Sequence, residues 1–194
     1  MKAHSFIYLI IYSCFIMSVS LQAQEHFADR YNVSYITMDD GLPHNFIDDI
    51  YKDTRGFLWI STAGGGLSRY DGYEFIHFNP NTPHSKLKSN FIHNVYEDRF
   101  HRLWIVSEGG TDIIDLSTLQ SVIPNDPKGL LPRFINHPTY IVIVDSQGCI
   151  WLQCDNALHR ITFDAEGGID TLSTLDLPEQ DEPCLLYTSP SPRD

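Results

Sequence analysis

The sequence predicts an all-β chain of three tandem four-stranded units, on two observations. The first is a repeat: DTRGFLWISTAGGGLSRYD opens at Asp53, DRFHRLWIVSEGGTDIID at Asp98 and DSQGCIWLQCDNALHRI at Asp145. In each copy a tryptophan follows the aspartate by six residues, at Trp59, Trp104 and Trp151, so the tryptophans are spaced by 45 and then 47 residues. The second is local pattern. Short apolar runs alternate with glycine- and aspartate-rich turns, and no amphipathic helix lies between them. A period of about 40–50 residues filled by four strands is that of a propeller blade. Three blades are fewer than the ~4–8 of a closed ring, so the fold class is an incomplete β-propeller.

Residues 1–23 read as a secretory signal peptide, with Lys2 before an apolar core and small residues near Ala23. That core is too short to span a bilayer comfortably. Residues 24–40 hold an expected strand at 33–37, which could complete the last blade of a ring, and a turn at Asp39-Asp40-Gly41.

Blade 1 occupies residues 41–80. Strands are expected at 45–52, 57–62, 67–70 and 73–78. Asp53 and Gly56 hold the first and fourth positions of a type I turn, and Asp71-Gly72 marks a hairpin. The run 57–62 is apolar enough for a strand covered on both faces. Blade 2, residues 81–125, repeats this with strands at 91–97, 103–107, 112–115 and 119–123, and His101 replaces the turn glycine. Blade 3, residues 126–175, is the most divergent, with Gly148 in the turn and strands at 140–144, 149–153, 158–163 and 169–172. The stretch 124–132, with three prolines and Gly129, reads as a linker. Residues 176–183 begin a truncated continuation. Residues 184–194, CLLYTSPSPRD, resemble a translated sequencing adapter, and the natural reading frame is expected to continue in their place.

The formal net charge is −12. Without residues 1–23 and 184–194, 11 basic and 24 acidic residues remain, near −13. Such a surface disfavours nucleic acid and anionic membranes as partners. Cys149 and Cys154 lie five residues apart along or just beyond one strand, about 16 Å and on opposite faces, beyond disulfide reach.

No residue pattern announces an active site. Gly64-Gly65-Gly66 lies between strands and lacks the Lys-Ser/Thr of a phosphate loop. The neighbours Asp39-Asp40 and Asp48-Asp49 do not converge within a strand. The histidines show no HxH or HExxH spacing, and no serine stands in a GxSxG setting. Neither a catalytic residue, a metal ligand nor a cofactor site is predicted. Asp53, Gly56, Trp59, Asp98, Trp104, Asp145, Gly148 and Trp151 are read as structural repeat positions, with the tryptophans as core between blades and the ligand-binding residues unassigned.

The string from Gly41 to Phe75, GLPHNFIDDIYKDTRGFLWISTAGGGLSRYDGYEF, resembles the two-component regulator propeller repeat. Leu42, Pro43, Asn45, Asp53, Gly56, Leu58, Trp59, Ile60, Thr62, Gly66, Leu67, Arg69, Tyr70 and Asp71 match its pattern, and Ser61 stands where glycine is frequent. Asn90, Asp98, Leu103, Trp104, Ile105 and Ser107 extend the match into the second unit, and Asp145, Gly148, Trp151, Leu158 and Arg160 into the third. The resemblance implies the sensor region of a hybrid two-component regulator of the Bacteroidetes type: periplasmic, binding an oligosaccharide, and belonging to a parent that spans the inner membrane. That parent is expected to be a histidine kinase and a homodimer when complete, while this chain is not itself an enzyme. The alternatives are a fragment of a secreted propeller lyase or hydrolase, and a purely structural propeller.

Overall fold

The computed structural model describes residues 34–83, 86–133 and 135–177. The leader at 1–23, most of the truncated continuation at 176–183 and the tail at 184–194 lie outside the described residues. Of a first compact unit, residues 1–36, only 34–36 are described, and they form no strand. The second unit, residues 37–194, holds three antiparallel sheets. The first is β1 (Ile47–Lys52), β2 (Leu58–Thr62), β3 (Gly66–Tyr70) and β4 (Phe75–Phe78), hydrogen-bonded in that order. The second is β5 (Ile92–Glu97), β6 (Arg102–Ser107), β7 (Gly110–Asp115) and β8 (Gln120–Ser121). The third is β9 (Thr139–Val144), β10 (Ile150–Cys154), β11 (Ala157–Phe163) and β12 (Ile169–Asp176). These are the three expected blades of an incomplete propeller.

Four local expectations need revision. The strand expected at 33–37 is absent from residues 34–37; Thr37 instead caps a 3-10 turn, Met38–Asp40, in a reciprocal box with Asp40. β8 spans two residues rather than five, because the chain turns tightly with Leu119 in the left-handed region (φ 57°). β12 is the longest strand, at eight residues, where 169–172 was expected. It is an edge strand with mostly exposed Thr, Ser and Asp, so its apolar signal is weak. The stretch 124–132 is more than a linker: Leu131 is buried in the core of the third sheet, and the Asn125 carbonyl accepts the Ile169 N–H at 2.7 Å.

Burial follows the position of each sheet. All six residues of β6 are buried, since its sheet is covered on both faces, whereas burial alternates along β10. Two cores fill the two junctions. Trp59, Leu67 and Phe78 pack with Ile92, Val95 and Ile105 in one; Trp104, Val106 and Ile113 pack with Val142, Leu152 and Phe163 in the other. Trp59 and Trp104 therefore each face the following sheet.

The first strands β1, β5 and β9 lie side by side. Each contains a bulge, which leaves Asp48, His93 and Tyr140 outside the ladder. The next residue bonds across the junction. Asp49 Oδ2 accepts from Asn94 Nδ2 at 3.0 Å and from the Val95 N–H at 3.1 Å, and Asn94 Oδ1 accepts the Val142 N–H at 3.0 Å.

Glycine is required where a blade closes onto the segment before the next. The Thr111 N–H donates to the Ile135 carbonyl at 3.0 Å, and at Gly110 (φ 117°) a Cβ would stand 2.3 Å from that same oxygen. Gly56 (φ 94°) has nothing within 4 Å of a Cβ. Gly56→Ala is therefore expected to cost only conformational strain, about 1–2 kcal/mol. Gly110→Ala should cost at least about twice that, because backbone must move. Denaturant titration of the two variants checks the ranking.

Candidate functional site

The aspartate and tryptophan of each repeat are joined by a hydrogen bond. Trp59 Nε1 donates to Asp53 Oδ2 at 2.9 Å, Trp104 Nε1 to Asp98 Oδ2 at 2.8 Å and Trp151 Nε1 to Asp145 Oδ2 at 2.9 Å. The other carboxylate oxygen gathers two turn amides: Arg55 and Phe57 on Asp53, Phe100 and Arg102 on Asp98, Gln147 and Cys149 on Asp145. The fourth turn position is left-handed each time, at Gly56 (φ 94°), His101 (φ 58°) and Gly148 (φ 76°). A non-glycine residue there is strained. His101 is held by its ring: Nδ1 lies 2.8 Å from Glu97 Oε1.

Burial separates the three copies. Trp59 and Trp104 are fully buried, but Trp151 is only partly buried, because no sheet among the described residues lies over its face. Hydrogen bonds from the Trp151 indole and the Cys149 N–H hold the Asp145 carboxyl down to about 2. Asp98 is deeper and also pairs with Arg102, Nε to Oδ2 at 2.7 Å. Arg102 in turn donates to the Gly167 carbonyl of the next blade at 2.6 Å and lies over the Phe100 and Phe163 rings.

At the other junction Glu97 takes that bridging place. It accepts from the Thr54 N–H and the Thr54 hydroxyl, each at 2.7 Å. Burial disfavours its charge, but the Thr54 and His101 hydrogen bonds outweigh burial and hold its pKa below the usual carboxylate value.

These side chains are committed to holding turns and blades together. Nor do the other candidates form a reactive centre. Cys149 and Cys154 are both free and buried, and burial pushes both thiols up, away from the reactive thiolate. Among the described residues no three His, Cys, Asp or Glu side chains are grouped to hold a metal ion.

What remains is a row of aromatic side chains at the end of the first strands opposite the aspartate turns. Phe46 is 62% exposed, Phe91 51% and Tyr140 47%. Phe46 and Phe91 both stand seven residues before a repeat aspartate, and Ala63 joins them: its N–H donates to the Phe46 carbonyl at 3.0 Å, and it pairs with Phe91 in an isolated bridge. The row continues at the bulges, where the His93 and Tyr140 rings lie 5.4 Å apart. His93 Nε2 is buried without a hydrogen-bond partner, and Asp48 at the equivalent bulge is exposed.

Phe91 is decisive here. Its sheet is flanked on both sides by described sheets, and the ring is still half-exposed. The sequence signal for Phe46 and Phe91 is their shared seven-residue offset from Asp53 and Asp98, within segments expected only as strands.

Three outcomes follow from this geometry. Asp98→Ala would strand the buried Arg102 charge and should cost about 3–5 kcal/mol. Trp104→Ala should cost about 3–5 kcal/mol, and Trp151→Ala clearly less; equilibrium unfolding measures all three. Because the Glu97 pKa is depressed in the folded state, its contribution is present above its unfolded value of about 4.3. It is lost as pH falls through the folded value. Stability measured from pH 6 down to pH 3 should therefore decline less steeply in Glu97→Gln than in the parent.

Residues 41–64 and 86–109 match the family model described as the two component regulator propeller. No curated protein matches the chain. Among solved structures, the extracellular domain assigned to the hybrid two-component system BT3049 of B. thetaiotaomicron superposes with a TM-score of 0.58 at 21% identity, over 74% of this chain and 20% of that one. The extracellular domain assigned to the one-component system BT4673 of the same organism gives 0.52 at 25% identity, over 68% and 19%. The chain thus spans about a fifth of the length of the structures it matches. The matched residues carry the Asp-turn-Trp units of the first and second blades, which are therefore similar to repeats of the two component regulator propeller.

Proposed function

We propose that this chain is part of the extracytoplasmic sensor of a two-component regulator, and that it helps to bind an oligosaccharide. On this reading the leader exports it to the periplasm. The parent spans the inner membrane, dimerises and carries the histidine kinase, so the propeller itself performs no chemistry. The observation that carries the reading is Phe91: an aromatic face left half-open in a blade covered on both sides, in line with Phe46 and Tyr140. Exposed aromatic faces beside hydroxyl and carboxylate groups suit sugar rings, whose apolar faces stack while their hydroxyls hydrogen-bond. The acidic balance and the absence of catalytic spacing agree with a binding role.

Calorimetry of the complete extracytoplasmic region against plant and host oligosaccharides tests this. Binding of one glycan class is the expected result, and Trp59→Ala should lose binding only in proportion to unfolding. Failure to bind any glycan, or a gene without a membrane-spanning segment after the propellers, would move the secreted-enzyme reading ahead.

A further inference from the structure

The aromatic row differs in charge from the opposite end of the same strands. Arg55, Arg99, Arg102 and Arg160 all sit at the aspartate-turn end, where they bond the Leu116, Phe163 and Gly167 carbonyls, the Gln147 side chain and nearby aspartates. At the aromatic end Lys88 is consumed: its Nζ donates to the Thr111 carbonyl and pairs with Asp112 at 3.4 Å. Lys86 in the same segment is exposed. Against it stand three exposed carboxylates at that end: Asp48 in the row itself, and Glu108 and Asp155 in the turns between second and third strands. Glu108 is fixed beside the row, since its N–H donates to the Phe91 carbonyl at 3.3 Å.

Resting on the oligosaccharide reading above, we propose that the ligand of this row is an uncharged glycan, and that uronate-containing and sulfated glycans are excluded. Sugar rings lie across the first strands on Phe46, Phe91 and Tyr140, and Asp48 accepts hydroxyl hydrogens. A carboxylate is a hydrogen-bond acceptor only, so it selects hydroxyl donors at the point where it repels a carboxylate or sulfate. Recognition of anionic groups draws on arginine forks, and Arg55, Arg99, Arg102 and Arg160 are committed at the other end.

The test is calorimetry on the complete extracytoplasmic region at pH 7.5, in low and high salt. Neutral oligosaccharides from xylan, mannan and arabinan are compared with those from homogalacturonan and heparin. A neutral ligand should bind with an affinity nearly independent of salt. Phe91→Ala should weaken it roughly tenfold or more without shifting the unfolding midpoint, because the ring is half-exposed. Asp48→Asn should weaken it as well.

Three results would overturn the inference. Tight binding of a uronate or sulfated glycan, falling steeply with salt, would leave the sensor reading standing while removing the uncharged ligand. Neutral-glycan binding untouched by both variants would move the site away from this row. No binding by any glycan would remove both readings together.

Discussion

The structure depends on one carboxylate per blade. Each repeat aspartate accepts two turn amides on one oxygen and the indole of the tryptophan six residues later on the other. The six-residue offset is therefore the length of chain that leaves the first strand, turns, and brings the second strand's inward side chain back beneath the turn. Asp164 makes a similar turn between β11 and β12, with the Glu166 and Gly168 amides on Oδ1 and Gly167 at φ 85°, yet no tryptophan follows it. The turn can thus form without the indole. What the tryptophan adds is a large apolar surface aimed at the neighbouring sheet, with its one polar atom already satisfied.

The blades meet by different chemistry at equivalent places. At the first junction the turn presents Thr54 to Glu97 and Arg55 to the Leu116 carbonyl. At the second, Arg99 and Arg102 reach the carbonyls of residues 163, 164 and 167. Only the Asp-Trp unit and the bulge clamps recur with the same roles, so the repeat encodes the blade and leaves each junction to its local residues. That division suits a solenoid-like array, where each unit must bury a face against its neighbour.

Legibility of the sequence followed the same division. The period, four strands per unit and the turns were readable, because alternation and turn chemistry act within one blade. Burial was not, because it depends on neighbours. Trp104 and Trp151 stand in the same sequence context, yet one is sealed by the following sheet and the other is partly open. The same limit hid the aromatic row: Phe46, Ile47 and Ile50 lie in the strand expected at 45–52, and nothing local to them shows that all three are exposed. Asp48 and Asp49, which do not converge within their strand, differ in the same way: Asp48 is exposed and Asp49 bonds the next first strand. Nothing local to residues 48–49 distinguishes those two fates, because they are set by a bulge.

That bulge sets both the exposed side chains and the bonds between first strands. A strand side chain alternates between two faces, so inserting one residue reassigns every position beyond it. In β1 and β5 the extra residue frees Asp48 and His93 from the ladder and turns the residue after each, Asp49 and Asn94, onto the adjacent blade. Tyr140 is freed in the same way in β9. In β1 and β5 the residue freed by the bulge and the residue that bonds the adjacent blade are therefore consecutive, Asp48–Asp49 and His93–Asn94. A ligand seated on Asp48, His93 and Tyr140 would press on backbone whose neighbouring atoms hold the blades in register.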